Sequence, residues 1–390
     1  MAGLPGGGVA VHAAHSQPDQ TWLDRCRAAR DRLLASPKFR RWAASFRPTR
    51  PIARRRARAL FDLCAGFVYS QVLLACIRLR VFDILSEGPL TVAALAQRLA
   101  LPVDATRRLM AAAASLRLVE ARGRDRFGLG PLGSAMVGNP AVAAMVEHHT
   151  HFYADLADPV ALLRGELPDT RLGRYWPYAG AARPAELTRD QVQPYTELMS
   201  ASQALIADEV IDAYPIGDHR RLLDVGGGDG AFVTAVARRA PALPMILFDL
   251  PPVAEQARAR LAALGLADRV AAVGGDFLSD PLPDGADLVT LVRVIHDHDD
   301  AAALAILRAV RRALPPDGVV LVAEPMSGIK GAEPAEAYFE LYLLAMGRGR
   351  PRTAGDIARL LAAAGFGGVQ QVPTCQPLLT SLIAARPKKC

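Results

Sequence analysis

The sequence has few of the residues that mark secreted, disulfide-bonded or membrane-spanning proteins. It contains five cysteines in 390 residues and no Cys-x-x-Cys pair, which predicts reduced thiols. Aromatic residues make up 6% of the chain, and its longest apolar run, residues 63–77, is interrupted by Ser70 and Gln71. We expect this run to be too short to span a bilayer. The first twenty residues lack a cationic segment followed by an apolar one, so we expect no signal peptide and a cytoplasmic protein.

Positive charge is concentrated in one short segment. Residues 21–60 hold thirteen Lys and Arg against Asp24 and Asp31, a net +11; since the whole chain carries +7, the other residues sum to −4. Apolar residues recur between these cations at helical spacing, among them Trp22, Cys26, Ala29, Leu33, Phe39, Trp42, Ala43 and Phe46. Residues 1–58 are therefore predicted to be a disordered start, over residues 1–20, and a basic amphipathic arm. Such an arm can pack on its own chain or a partner subunit, or dock peripherally on an anionic membrane.

Residues 59–205 are predicted to form a helical domain that contains a winged-helix motif. Helices over residues 91–100 and 103–118 are followed by short strands at 118–120 and 126–129, which is the order of that motif. Many winged helices bind DNA. Here the second helix offers Arg107, Arg108 and then a run of alanines, which cannot read bases, so we expect no nucleic-acid partner.

Residues 206–390 alternate between strand and helix patterns, which predicts a doubly wound α/β sheet. Strands are predicted at residues 221–225, 245–248, 270–273, 288–294 and 319–323, with helices at 231–239, 253–264 and 301–313 among others. Two further strands, at 368–372 and 379–384, are joined by a short loop. The sheet is therefore expected to be mixed at its end.

A glycine-rich turn follows the first of these strands. Asp224 lies near the end of the strand, and Gly226, Gly228 and Gly230 alternate before the next helix. Glycine allows a sharp turn and a close approach of a ligand, beside the free N–H groups of the helix N-terminus. The spacing also fits a dinucleotide fingerprint, but that motif has an apolar residue where Asp224 stands. An acid at this point suits a cationic ligand better than a pyrophosphate.

Four motifs make the chain from about Ala59 onward resemble the plant-type family of S-adenosylmethionine-dependent O-methyltransferases: Asp224–Gly228, Phe248–Pro251, Gly274–Phe277 and Arg293–Asp297. The resemblance implies a Rossmann-like methyltransferase sheet behind a winged-helix dimerisation domain, a homodimer, and S-adenosyl-L-methionine as the cofactor. The cofactor-binding residues that it implies are Asp224, Gly226, Gly228, Asp249, Asp276, Phe277 and Arg293. Asp249 would accept the ribose hydroxyls, Asp276 the adenine amino group, and Phe277 would stack on the base.

The same resemblance implies two catalytic residues. His296 stands at the position of the general base, and Glu324 at that of the acid that orients the imidazole. The structural alternative is that His296 begins a helix that Asp297 or Asp299 caps. The chain departs from the family in two places, since it has His298 where a tryptophan is usual and Pro351 where a second glutamate is expected.

Three runs are similar, more narrowly, to the branch of the family that methylates acyclic carotenoids in purple phototrophic bacteria: residues 60–68, 153–161 and 174–178. This implies as acceptor the tertiary hydroxyl of a carotenoid of the hydroxyneurosporene (demethylspheroidene) type. A phenolic or polyketide acceptor is the alternative. A winged-helix regulator that senses S-adenosylmethionine would need the cofactor residues, but neither His296 nor Glu324.

Two groups of side chains remain open to more than one interpretation. A stripe at helical spacing can line a substrate pocket or belong to the core: Tyr338, Phe339, Tyr342 and Met346. Three histidines, His148, His149 and His151, have no accompanying carboxylate or cysteine pattern. We therefore expect them to line a pocket or lie on a helix surface, and we expect no metal site.

Overall fold

The computed structural model describes residues 21–176, Tyr178 and residues 186–389. The expected disordered start and Cys390 lie outside these residues. The chain divides into two compact units, residues 1–75 and 76–390. The predicted domain boundaries at residues 58 and 205 remain predictions.

The first unit consists, in its described part, of two short helices and most of a long one. Helix α1 (Trp22–Ala35) begins with a capping box between Thr21 and Asp24, and α2 (Pro37–Ser45) begins at the Ser36 cap. Helix α3 (Arg50–Arg78) begins earlier than the sequence predicts, because Pro51 lies in its first turn, where a missing N–H costs nothing. The last residues of the predicted arm therefore belong to α3.

Helix α3 corrects the expectation about membrane-spanning length. It contains an 18-residue window with a mean hydropathy of 1.8, of which 11% is buried, so by length and composition alone it can cross a bilayer. The interrupted run at residues 63–77 suggested the opposite, because the helix extends beyond that run at both ends. Large apolar side chains on α3 are exposed, namely Ile52, Leu60, Phe61, Leu63, Phe67 and Val68.

The second unit opens with the predicted winged-helix motif. Its helices are α4 (Val81–Ser86), α5 (Val92–Leu99) and α6 (Val103–Ser115), and its strands are β1 (Leu90–Thr91), β2 (Val119–Ala121) and β3 (Arg126–Leu129). The strands pair antiparallel in the order β1-β3-β2. The two-residue strand β1 is too short for its pattern to be visible in the sequence.

Helices of the second unit bridge the winged motif and the large sheet. They are α7 (Pro131–Ser134), α8 (Pro140–Asp155), α9 (Pro159–Leu163), α10 (Arg171–Tyr175) and α11 (Arg189–Ala213). The buried Asp155 carboxylate at the end of α8 accepts from the backbone N–H of Arg171 at 2.7 Å and of Leu172 at 2.8 Å. It thereby satisfies free donors at the start of α10 and fixes α10 against α8.

A seven-stranded sheet with the order β6-β5-β4-β7-β8-β10-β9 forms the rest of the unit. Its strands are β4 (Leu222–Val225), β5 (Met245–Asp249), β6 (Val270–Gly274), β7 (Leu288–Val292), β8 (Val319–Glu324), β9 (Phe366–Val372) and β10 (Ser381–Pro387). Strands β4 to β8 run parallel, and β10 is antiparallel to β8 and β9. The predicted doubly wound sheet, mixed at its end, is confirmed.

Helices and two hydrophobic clusters surround this sheet. The helices are α12 (Ala231–Arg239), α13 (Pro251–Ala263), α14 (Asp300–Ala313), α15 (Glu333–Met346) and α16 (Ala354–Ala363). One cluster joins alternate strand residues to α14 and α16, and the other joins the opposite face to α11, α12 and α13. Because the parallel strands end at one edge, their terminal residues meet there.

Candidate active site

The glycine turn after β4 is shaped for a ligand. Gly226, Gly228 and Gly230 have φ angles of 72°, 59° and 87°, a region that side chains with a Cβ rarely adopt. A Cβ on Gly226 would lie 2.7 Å from the Val294 side chain. The turn therefore requires glycine for both backbone conformation and space, and it leads directly into α12.

A large cavity lies over this turn, at the carboxyl ends of β4 to β7. It has a volume of about 170 Å³, and its lining includes Gly226, Gly228, Asp249, Asp276, Phe277 and Arg293. Six of the seven residues predicted to bind the cofactor thus lie together in the lining of one cavity.

Asp249 is held at the end of β5 by the glycine turn itself. Its Oδ2 accepts from the Gly228 N–H at 2.8 Å, and its Oδ1 accepts from the Leu250 N–H at 2.7 Å. Burial raises the pKa of Asp249 to about 6, against the lowering effect of these two bonds. The carboxylate is rigid and faces the cavity, as a group that accepts ribose hydroxyls must be.

Asp224 has a different position from the other six residues. Its side chain is buried below the glycine turn, where Oδ1 accepts from Thr290 Oγ1 at 2.7 Å, and it does not line the cavity. Its Oδ2 has no hydrogen-bond partner among the described residues. Burial raises the pKa of Asp224 to about 7. The structure thus places Asp224 beneath the glycine turn, in contact with Thr290, and not in the lining of the cavity.

Asp276 and Phe277 follow β6 and form one end of the cavity. Asp276 Oδ1 accepts from the Leu278 N–H at 2.9 Å, which fixes the turn that carries both residues. The Phe277 ring meets the His298 ring edge to face, with centroids 5.4 Å apart. A ring and an acid side by side suit an adenine base.

Arg293 follows β7 in a left-handed backbone conformation, with a φ of 60°. Its guanidinium donates to Ser202 Oγ at 2.7 Å and lies 3.0 Å from Met199 Sδ, both on α11. Because Arg293 also lines the cavity, it ties α11 to the end of the sheet beside the ligand.

His296 lies in a single 3₁₀ turn, Ile295–Asp297, and not directly after a strand as predicted, because β7 already ends at Val292. Its Nδ1 makes a very short hydrogen bond with Glu324 Oε2. Glu324 Oε1 accepts from the N–H groups of Val294 at 3.0 Å and Ile295 at 2.6 Å. The predicted pairing of His296 with Glu324 is therefore present. The helix cap is Asp299, which accepts from the Ala302 N–H at 2.8 Å.

Asp297 is a site residue that sequence reasoning treated only as a cap. Its Oδ1 lies 3.0 Å from His296 Nε2, outside hydrogen-bond geometry, and has no other partner among the described residues. Burial raises the pKa of Asp297 to about 6. Burial lowers the pKa of His296, but the charges of Asp297 and Glu324 outweigh this and leave it above its usual value. Asp297 lines the cavity, whereas His296 is 5% exposed just behind it.

The predicted substrate stripe on α15 is mostly core. Tyr342 and Met346 are buried in a cluster with residues of α8 and α10, and only Met346 lines the large cavity. Tyr342 Oη pairs with His148 Nε2 at 2.7 Å, and Tyr338 Oη with His149 Nε2 at 2.9 Å. The histidines are therefore hydrogen-bond partners of core tyrosines. Phe339 lies against the His296 ring, with centroids 5.9 Å apart.

An aromatic wall of the cavity was missed by the sequence reasoning. Trp176, Tyr178 and Tyr195 line it, and the rings of Trp176 and Tyr178 lie 4.1 and 5.4 Å from that of Tyr195. Burial raises the pKa of Tyr178 and of Tyr195 well above the usual value, so both stay neutral. The run at residues 174–178 had been noted only for its resemblance. Its aromatic content, in a chain with few aromatics, was the available signal.

Family models match both parts of the chain. An O-methyltransferase domain model matches residues 153–367, and an O-methyltransferase dimerisation domain model matches residues 61–139. The predicted homodimer is supported by the second match. The protein is also 44% identical, over 91% of its length, to a demethylspheroidene O-methyltransferase of Cereibacter sphaeroides, of which the match covers 93%.

A second relative and a solved structure agree with these matches. The demethylspheroidene O-methyltransferase of Rhodobacter capsulatus is 41% identical over 86% of this chain and 83% of its own. The crystal structure of human N-acetylserotonin methyltransferase, solved with S-adenosylmethionine, superposes with a TM-score of 0.67 at 27% identity and covers 86% of this chain and 98% of its own. The predictions of an O-methyltransferase and of S-adenosylmethionine as its cofactor are confirmed at the level of the family. On its sequence, its fold and the His296–Glu324 pair beside the cavity, the chain belongs to the O-methyltransferase family.

Proposed function

We propose that this protein transfers a methyl group from S-adenosylmethionine to the tertiary hydroxyl of an acyclic carotenoid. The observation that carries the substrate class is the 44% and 41% identity to two proteins that bear the name demethylspheroidene O-methyltransferase. A phenolic or polyketide metabolite is the alternative acceptor, since the more distant human relative is a methyltransferase of N-acetylserotonin.

The residues of the cavity suit the cofactor. A turn whose backbone conformation favours glycine, carboxylates at Asp249 and Asp276, and a lining with more acidic than basic residues suit a ribose, an adenine amino group and a cationic sulfur. When bound, S-adenosylmethionine supplies an electrophilic methyl group on a sulfonium, which is already a good leaving group. Asp249 would accept the ribose hydroxyls, Asp276 would accept from the adenine amino group, and Phe277 would stack on the base. Arg293 would line the same cavity beside α11.

His296 acts on the acceptor hydroxyl in this proposal. Glu324 holds the proton on Nδ1, which leaves the lone pair on Nε2 directed toward Asp297 and the cavity. The acceptor oxygen forms a bond to the methyl carbon as the carbon–sulfur bond breaks and its electron pair stays on the departing sulfur, and the proton of the acceptor O–H passes to Nε2. Because a tertiary alcohol is a far weaker acid than a phenol, it does not ionise first, and proton removal accompanies methyl transfer. Alignment contributes up to about 7–11 kcal/mol, and the base about 10²–10⁴-fold.

An assay of methyl transfer from labelled S-adenosylmethionine tests the substrate class. The acceptors are a hydroxylated acyclic carotenoid in detergent, the same carotenoid without its hydroxyl, and a catechol. We expect label only in the hydroxylated carotenoid. Label in the catechol alone would replace the carotenoid with a phenolic acceptor, and label in neither hydroxyl compound would contradict both.

We further propose that the first unit of the chain docks on an anionic membrane, from which a water-insoluble substrate is collected. Helix α1 has no buried residue in the structure, and Trp22 and Trp42 are 74% and 49% exposed. Phe39 and Trp42 of α2 form an aromatic row with Phe46, the residue after the helix, with centroid distances of 5.5 and 5.0 Å. Exposed cations flank this row, and each contributes about 1 kcal/mol near an anionic surface. Apolar anchors among cations are what interfacial binding requires.

Co-sedimentation of the full chain with vesicles tests the docking. We expect binding to phosphatidylglycerol vesicles at low salt, release at high salt and no binding to phosphatidylcholine, because salt screens the attraction. Glutamate at Lys38, Arg40 and Arg41 should abolish binding. The charge-matched control has glutamate at the exposed positions Arg124, Arg312 and Arg359. Equal loss in both variants, or no binding by the unmodified protein, would assign the arm to subunit packing.

A further inference from the structure

The turn that carries His296 is held on its carbonyl side by a segment from the other end of the site, residues 349–352. The Arg350 N–H donates to the His296 carbonyl at 2.9 Å. Arg352 Nη1 donates to the Ile295 carbonyl at 2.5 Å, and its Nη2 donates to the His298 carbonyl at 2.7 Å. Three carbonyls in four consecutive residues of the catalytic turn thus accept from this short segment.

Arg352 is a buried cation with an unusual set of partners. Its side chain is 2% exposed, and its one described carboxylate partner is Asp300, whose Oδ1 accepts from Nη2 at 2.8 Å and from Nε at 3.1 Å. Burial of a guanidinium is costly unless nearly every N–H is satisfied. Here the planar fork meets the two carbonyls and the carboxylate together, a geometry that a lysine cannot reproduce.

Gly349 allows the close approach of this segment. Its φ is 80°, and a Cβ at this position would overlap the His296 carbonyl oxygen and lie 2.9 Å from Asp297 Cα. The segment is also anchored to the loop after Glu324, since the Ser327 N–H donates to the Arg352 carbonyl at 2.9 Å. The backbone of the turn is therefore fixed from both sides, by Glu324 on its N–H groups and by residues 349–352 on its carbonyls.

We propose that Arg352 is a positioning residue, which sets the location of the His296 ring by holding the Ile295 and His298 carbonyls on either side of it. The proposal rests on the proposed base function of His296. It explains how the chain manages with Pro351, which brings neither a carboxylate nor an N–H, where the family has a second glutamate. A second glutamate would fix the His296 ring by contacting the imidazole. Here Arg352 fixes it by holding the backbone of the turn.

The variant Arg352→Lys tests this with the charge retained. A lysine reaches one of the three acceptors and releases the turn, so we expect kcat to fall about ten- to a hundredfold, within the range that a general base contributes. The KM for S-adenosylmethionine should change less than twofold. Arg359→Lys, on an exposed ion pair of α16, is the matched control and should leave both parameters unchanged.

A double-mutant cycle separates positioning from a general loss of structure. If Arg352 acts through His296, Arg352→Lys should have no further effect on kcat in the His296→Ala background. Equal effects in both backgrounds would overturn the positioning role while leaving the proposed function intact. Normal turnover by His296→Ala alone would contradict the proposed function instead.

A measurement without any acceptor gives a second readout. NMR titration of the His296 imidazole, assigned by its loss in His296→Ala, should show its pKa lower in Arg352→Lys than in the unmodified protein. The reason is that a displaced ring loses its carboxylate contacts while it stays buried. An unchanged His296 pKa together with an unchanged kcat would refute the proposal. Gly349→Ala should lower both the His296 pKa and kcat, provided that the circular dichroism spectrum of the variant is native.

Discussion

The cofactor half and the acceptor half of the cavity are built from different kinds of chain segment. Asp249 is the last residue of β5, the glycine turn begins directly after β4, and Asp276 and Phe277 follow closely after β6, so the sheet sets their places. The other half, which we propose takes the acceptor, combines Trp176 just after α10 with Tyr195 of α11 and Met346 of α15. A strand end has one position in a doubly wound sheet, whereas a helix face depends on its packing. Site residues at strand ends can therefore be predicted from sequence motifs, whereas site residues on helices cannot.

The variant His296→Ala should show the largest difference between an effect on kcat and an effect on cofactor affinity. His296→Ala should lower kcat by about 10²–10⁴-fold, because the imidazole takes the hydroxyl proton. Cofactor affinity should stay within twofold, since none of the contacts proposed for the cofactor involves His296. Turnover with labelled cofactor and calorimetry with S-adenosylhomocysteine measure the two quantities. A loss of cofactor affinity as large as the loss of kcat would mean that His296 also contributes to cofactor binding.

Asp249→Ala should produce the opposite pattern. Loss of a carboxylate that accepts two ribose hydroxyls and the Gly228 N–H should cost about 2–4 kcal/mol of cofactor affinity. At saturating cofactor, kcat should change far less than in His296→Ala. The exposed Asp268→Ala is the control. Calorimetry that finds unchanged affinity would remove Asp249 from the cofactor half.

The pH dependence of kcat tests the interaction between His296 and Asp297. Only neutral His296 accepts a proton, so kcat should rise with pH through the pKa of His296, which its two carboxylate neighbours raise above the usual value. Asp297→Asn removes one of these charges and should move the midpoint of the rise to lower pH, by about one unit or less. A midpoint that stays in place, in a profile measured at saturating cofactor, would show that Asp297 does not act on His296.

The smallest expected effect concerns the core behind the acceptor half. Tyr342→Phe leaves His148 Nε2 and Trp176 Nε1 without the hydroxyl that both contact, at 2.7 and 3.3 Å. We expect the free energy of unfolding to fall by about 1–3 kcal/mol, measured by denaturant titration, with cofactor affinity unchanged. Weaker cofactor binding at unchanged stability would instead make Tyr342 a ligand contact.

Sequence patterns predicted the sheet, the winged motif and six of the residues that meet in the cavity. They placed Asp224 with those six, yet the structure puts it below the turn, because a residue one place inside a strand points into the sheet layer and not past its end. They also carried a strand through Val294. The left-handed Arg293 ends it sooner, a conformation that no apolar run reveals.

The sequence by itself determined the positions of the strands along the chain, the glycine turn and the acids near strand ends, because these depend on local spacing and on the fixed geometry of a parallel sheet. Only the tertiary structure decided which helix side chains face the cavity. The α15 stripe has the same helical period whether it lines a pocket or fills a core, and its partners His148 and His149 lie on α8, nearly two hundred residues earlier in the chain. The hydrogen bonds from Arg352 to the His296 turn also could not be predicted from the sequence. Their acceptors are backbone carbonyl oxygens, which every residue carries, and only the folded structure shows which of them Arg352 contacts.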